Sequence, residues 1–167
     1  MIAFLLGIPI LLVTSILQTT VISRMPLLNG TADLMLIVIT AWSLQRQITA
    51  TWQWALLGGL LIDYYSGLPF GVYTLSYLLL NAAAIILKNR IWQFSYLMHL
   101  LLALLGTLMI QAFSVIIILL QGTALPLGIV LQQVILPSLI LNLLLTFPIY
   151  LLINDVAEQI APSAGKL

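Results

Sequence analysis

The sequence predicts an all-α integral membrane protein, a single domain over residues 1–167 with six transmembrane helices. Three observations carry that prediction. Only 5% of the residues are charged and 63% are hydrophobic, whereas a soluble domain carries about a quarter charged residues. The charges are Arg24, Arg46, Lys88, Arg90 and Lys166 against Asp33, Asp63, Asp155 and Glu158; so few cannot cover a globular surface, and lipid is the main solvent. The apolar runs are also continuous, as at 100–105 and 115–120, unlike the alternation of a transmembrane β-barrel. At about 20 residues per span, six helices and short turns use almost the whole chain.

The elements follow in order. Helix 1 covers residues 2–22, a long apolar stretch with no basic residue before it and no small-residue cleavage site. It reads as a retained helix, not a signal peptide. A loop with Pro26 and Gly30 leads to helix 2, 32–44. Helix 3 covers 51–65. Ser66-Gly67-Leu68-Pro69-Phe70-Gly71 is a tight turn, and helix 4 follows over 72–87. Helix 5 covers 96–120. Helix 6, 129–153, is expected to kink or loosen at Pro137 and Pro148. A polar tail, 154–167, closes the chain.

Orientation follows the cations of the short loops. Arg46, Lys88, Arg90 and Lys166 fall on one side and Arg24 on the other, which places both termini in the cytoplasm. Trp42, Trp52, Trp54 and Trp92 lie toward that side and read as an interfacial belt.

Polar residues within the spans are patterned. Thr107, Gln111, Ser114 and Gln121 share one face of helix 5, with His99 at its edge. Ser138, Asn142 and Thr146 step by four in helix 6, as do Tyr73, Tyr77 and Asn81 in helix 4. Helix 1 pairs Thr14 with Gln18 and Ser15 with Thr19. Such stripes glue helices together by hydrogen bonds; the alternative is a lining for a substrate cavity. Asp63 is expected to accept hydrogen bonds from the backbone of the 66–71 turn or from the start of helix 4. Partner docking or a proton or ion site are its alternatives. Asp33 is expected to cap helix 2. The lone His99 lacks companions for a metal site and reads as a hydrogen bonder. No cofactor is expected. No nucleophile elbow, zinc-protease motif or phosphate loop is present, and the aspartates sit at different loop ends, so no enzyme is expected. A net charge of +1 offers no footprint for nucleic acid. The absence of cysteine excludes disulfides and thiolate chemistry.

Around the third and fourth helices the sequence resembles the MreD family of rod shape-determining proteins. Gly59-x-x-x-Asp63, Ser66-Gly67-x-x-x-Gly71 and Leu75-x-Tyr77 carry the resemblance. Ala32-Asp33-Leu34 and Leu136-Pro137-Ser138, continuing to Asn142, extend it. Ala32 stands where the family often has proline, and Tyr64-Tyr65 replaces a leucine-like pair. The resemblance implies a non-enzymatic component of the inner membrane in the elongation machinery of rod-shaped bacteria. It would bind MreC and act indirectly with MreB, a SEDS glycosyltransferase and a class B penicillin-binding protein in lateral peptidoglycan synthesis. It also implies a fold similar to the substrate-binding subunits of energy-coupling-factor transporters. Asp33, Asp63, Gly67, Gly71 and Asn142 are then the candidates for shaping the fold or docking the partner. The competing reading is a small-molecule-binding subunit of such a transporter. That class docks its motor through Ala-x-x-x-Ala in helix 1, and this chain offers only Ala3-x-x-x-Gly7.

The charge bias makes a topological prediction. An alkaline phosphatase fused after Pro69 should be active, and one fused after Arg90 should be silent; the opposite pattern overturns the orientation.

Overall fold

The computed structural model describes residues 2–45, 48, 51–90 and 95–160. Nearly all of them are helical: α1 (Ile2–Thr20), α2 (Leu34–Ser43), α3 (Trp52–Tyr65), α4 (Val72–Arg90), α5 (Ser95–Leu120), α6 (Leu127–Val130), a π-helical turn (Leu131–Ile135) and α7 (Leu136–Ile160). Three stretches are long and apolar enough to cross a membrane: Gly7–Arg24, Tyr96–Leu120 and Leu127–Gln159. Leu34–Ser43 and Val72–Lys88 are shorter apolar helices.

The shortest of these is the centre of the molecule. The ten residues of α2 rise only about 15 Å, half the hydrocarbon thickness. Every residue from Met35 to Ser43 is buried, because α2 packs against α1, α3, α4, α5 and α7. It is apolar all round because protein encloses it on every side.

Glycines set how closely the neighbours approach. A Cβ on Gly59 would lie 2.4 Å from the Thr74 backbone, and one on Gly58 would lie 2.6 Å from Ile39. The Gly58-Gly59 pair therefore presses α3 against α4 on one side and α2 on the other. Gly7 lies against the Trp54 ring, and Gly106 against Leu80 and Leu36.

The last helical stretch is loosened at Pro137, as expected, and the cause is visible in the hydrogen bonds. A proline has no N–H to give the carbonyl four residues earlier. The π turn lies just before it, and the orphaned Gln133 carbonyl accepts from the Asn29 N–H at 3.0 Å. The Asn29 side-chain amide also donates to Gln133 Oε1 at 2.9 Å. Gly30 fits directly behind, since a Cβ there would lie 2.6 Å from the Val134 carbonyl oxygen. The loop between α1 and α2 is thus clasped onto the opened turn.

Several expectations are corrected. Trp42 and Trp54 are not interfacial: both are buried, stacked with ring centroids 3.9 Å apart and planes 14° apart. Trp52 is exposed, and Trp92 lies outside the described residues. The final helix continues to Ile160 instead of giving way to a tail at residue 154, because Ile153 and Ala157 are buried and hold the added turns to the core. In α5 the polar stripe is buried at His99 and Thr107, but Gln121 is exposed beyond the bundle. Of the cations behind the orientation, Arg46, Lys166 and the Arg90 side chain lie outside the described residues. Lys88 is turned onto the chain itself, donating to the carbonyls of Gln45 at 3.3 Å and Ile48 at 3.0 Å.

The close approach at Gly59 predicts an asymmetric response to added volume. Gly59→Val should destabilise the protein by about 1–3 kcal/mol through overpacking. Gly67→Ala, where a Cβ meets nothing, should be near neutral. Thermal unfolding in detergent distinguishes the two.

Candidate functional site

The polar residues of the spans converge on the start of α2. A helix beginning inside a bundle presents N–H groups that no water can satisfy. Here the donors are met by side chains from three directions. Asp33 caps its own helix, accepting from the Leu36 N–H at 2.9 Å. Gln18 of α1 accepts from the Leu34 N–H and donates to the Ala32 carbonyl, both at 2.8 Å. Asn142 of α7 accepts the Asp33 N–H at 2.6 Å, and Ser138 accepts the Thr31 N–H at 3.2 Å. Asn142 also donates to Thr107 Oγ1 of α5 at 2.7 Å. The Tyr77 hydroxyl of α4 donates to the Asp33 carboxylate, 2.9 Å from each oxygen.

Asp63 is buried near the end of α3 and reaches the start of α4. It accepts from the Tyr73 N–H at 2.9 Å, the Thr74 N–H at 3.1 Å and the Thr74 hydroxyl at 2.5 Å. Of the two expected donor sets, the start of helix 4 is the one used. The turn supplies its own bonds: Ser66 Oγ accepts from the Leu68 N–H at 3.2 Å. Gly71 has φ +105°, a region closed to most side chains. Gly67 makes no such demand, so the turn's conformational requirement rests on Gly71.

The two aspartates do not form a dyad. Each accepts hydrogen bonds from neutral donors, and α4 is what they share. Toward the other end, the Asn81 side chain donates to Ser43 Oγ and Thr51 Oγ1, both at 2.7 Å. His99 Nε2 donates to the Ile37 carbonyl at 3.0 Å, which fixes the proton on that nitrogen. The sequence pattern singled out Tyr77, Asn81 and Asn142 by their helical spacing. It marked Gly30 only as part of a loop and passed over Asn29 and Gln133. The signal for these was Pro137, which frees the carbonyl four residues before it.

Between these groups lies a cavity of about 70 Å³, lined by Gln18, Thr31, Asp33, Tyr73, Gln111 and Asn142 among others. At roughly 10–15 Å³ per water, it accommodates a few small molecules of that size. Pockets for drug-sized ligands measure about 300–1,000 Å³.

A family model described as rod shape-determining protein MreD matches residues 1–156. The chain belongs to the MreD family. No curated protein and no solved structure matches it. Membership assigns this MreD protein to rod-shape determination, in a family of shape-determining membrane proteins rather than enzymes. Among the described residues, most of the inward amides and hydroxyls around the start of α2 are spent on hydrogen bonds between helices or to the backbone.

The Asp63 geometry makes the next prediction. Asp63→Leu leaves two buried N–H groups unpaired, each worth about 1–3 kcal/mol. Asp63→Asn retains one acceptor and should be milder. Gly71→Val should also lower stability. Protein level in the membrane and melting temperature in detergent read the order; equal stability of wild type and Asp63→Leu would remove Asp63 from the account of the hairpin.

Proposed function

We propose that this MreD protein is a non-enzymatic scaffold of the cell-elongation machinery, binding MreC and helping to position lateral peptidoglycan synthesis. The observation that carries the reading is the family match across residues 1–156. In this reading the chain crosses the bacterial inner membrane six times with both termini cytoplasmic. Its path is similar to that of the substrate-binding subunits of energy-coupling-factor transporters. The link to MreB, a SEDS glycosyltransferase and a class B penicillin-binding protein is indirect, through MreC. The short loops leave helix faces and turns as the contact surface. Asp33, Asp63 and Asn142 then act on the partner through the loops they hold, and Gly67 and Gly71 through the shape of the 66–71 turn.

The interior volume favours this reading over a transporter subunit. A cavity of about 70 Å³ is several-fold too small for a vitamin-sized ligand. The inward polar groups are also largely engaged with one another.

A tryptophan scan of lipid-facing and loop positions tests the scaffold. Rod shape, protein level and co-purification with MreC are scored together. The scaffold requires shape loss to track loss of MreC binding among variants that insert normally. Asn142→Ala and His99→Ala should give only graded losses, near the ~0.6 kcal/mol average for interhelical hydrogen bonds in membranes. A variant of the polar interior that keeps MreC and normal levels but loses rod shape would overturn the purely structural role.

A further inference from the structure

We propose that the cavity beside Asp33 is a binding site for a small monovalent cation, an alkali metal ion or a primary ammonium group. Asp33 lines the cavity and is half-buried as a residue. Its partners are the Leu36 and Met35 N–H groups and the Tyr77 hydroxyl, all neutral. The Tyr77 proton is shared between the two oxygens, and a carboxylate has about four lone-pair sites, so these three donors leave room for a metal ion or a further donor. Among the described residues no cationic side chain pairs with this carboxylate. A negative charge held in a membrane-embedded bundle without a counter-charge is costly.

The other walls supply what a cation requires. Gln111, Tyr73 and Thr31 line the same cavity, and neither the Gln111 amide nor the two hydroxyls is committed to a hydrogen bond among the described residues. With Asp33 they offer one anionic and three neutral oxygens, a hard-oxygen set. The other lining amides, Gln18 and Asn142, are spent on the backbone of the 31–34 segment and on Thr107, which holds the site's shape. Charge selects the ion: one carboxylate neutralises a monovalent cation, whereas calcium calls for six to eight oxygens. Size agrees, since about 70 Å³ takes a small ion with residual water, or the NH₃⁺ end of a chain entering from the mouth.

The bound charge would tie the start of α2 to α4 and α5, so occupancy reads out as stability. Purified protein in nanodiscs is melted in sodium, potassium, ethylammonium or choline chloride at equal ionic strength, and retention of ²²Na⁺ is measured in parallel. Sodium or ethylammonium should raise Tm above the choline value in a saturable way. A sodium response with ²²Na⁺ retention assigns a metal ion; an ethylammonium response alone assigns an amine, as on a lipid headgroup. Asp33→Asn, which preserves a capping side chain, should abolish the response. Gln111→Leu leaves Asp33 and the α2 cap intact and should raise the half-saturating concentration several-fold. Equal melting in choline and in every smaller cation, without ²²Na⁺ retention, would overturn the site and leave the cavity to water. A cation response unchanged in both variants would place the ion elsewhere and overturn it equally.

Discussion

The buried start of α2 is the constraint on which the rest of the structure depends. A helix that begins in contact with water leaves its first N–H groups to the solvent. One that begins inside a membrane bundle must find an acceptor for each. Asp33, Gln18 and Asn142 supply those acceptors from α2 itself, α1 and α7. The positions of three helices are therefore tied to a requirement of the backbone. Because α2 packs against nearly every other long helix, an arrangement that satisfies its terminus fixes much of the bundle.

The same logic recurs at α4, with a division of labour. Asp63 satisfies two N–H groups of the first turn of α4 from the end of α3. This is a capping interaction delivered across a hairpin rather than within one helix. Further along, Tyr77 reaches Asp33, and Asn81 joins the end of α2 to Thr51 before α3. One face of α4 thus carries the polar connections to both ends of α2.

Much of this was legible in the sequence. The helical class follows from composition, and the locations of the helices from continuous apolar runs. Asp33 as a cap, the stripe on the final helix and the loosening at Pro137 follow from local rules of residue type and spacing. What was not legible depends on three-dimensional neighbours. Tryptophans beside loop cations look interfacial, yet Trp42 and Trp54 stack inside the core because α2 is enclosed. The extension of the last helix depends on what Ile153 and Ala157 touch. Gln18 and Gln133 carry no local mark of their roles, since their partners lie on other segments.

The clasp between Asn29 and Gln133 has a consequence for how the chain is assembled. Asn29, Thr31 and Asp33 are completed by Gln133, Ser138 and Asn142, more than a hundred positions further along the chain. Ribosomes deliver the sequence from the N-terminus, so α2 emerges well before the groups that satisfy its entry loop. Loops that close over such separations form late. The entry loop of α2 therefore stays incomplete until the last helix arrives. Completion of the loop between α1 and α2 becomes a quality check on the whole chain: a product truncated before residue 133 cannot complete the clasp.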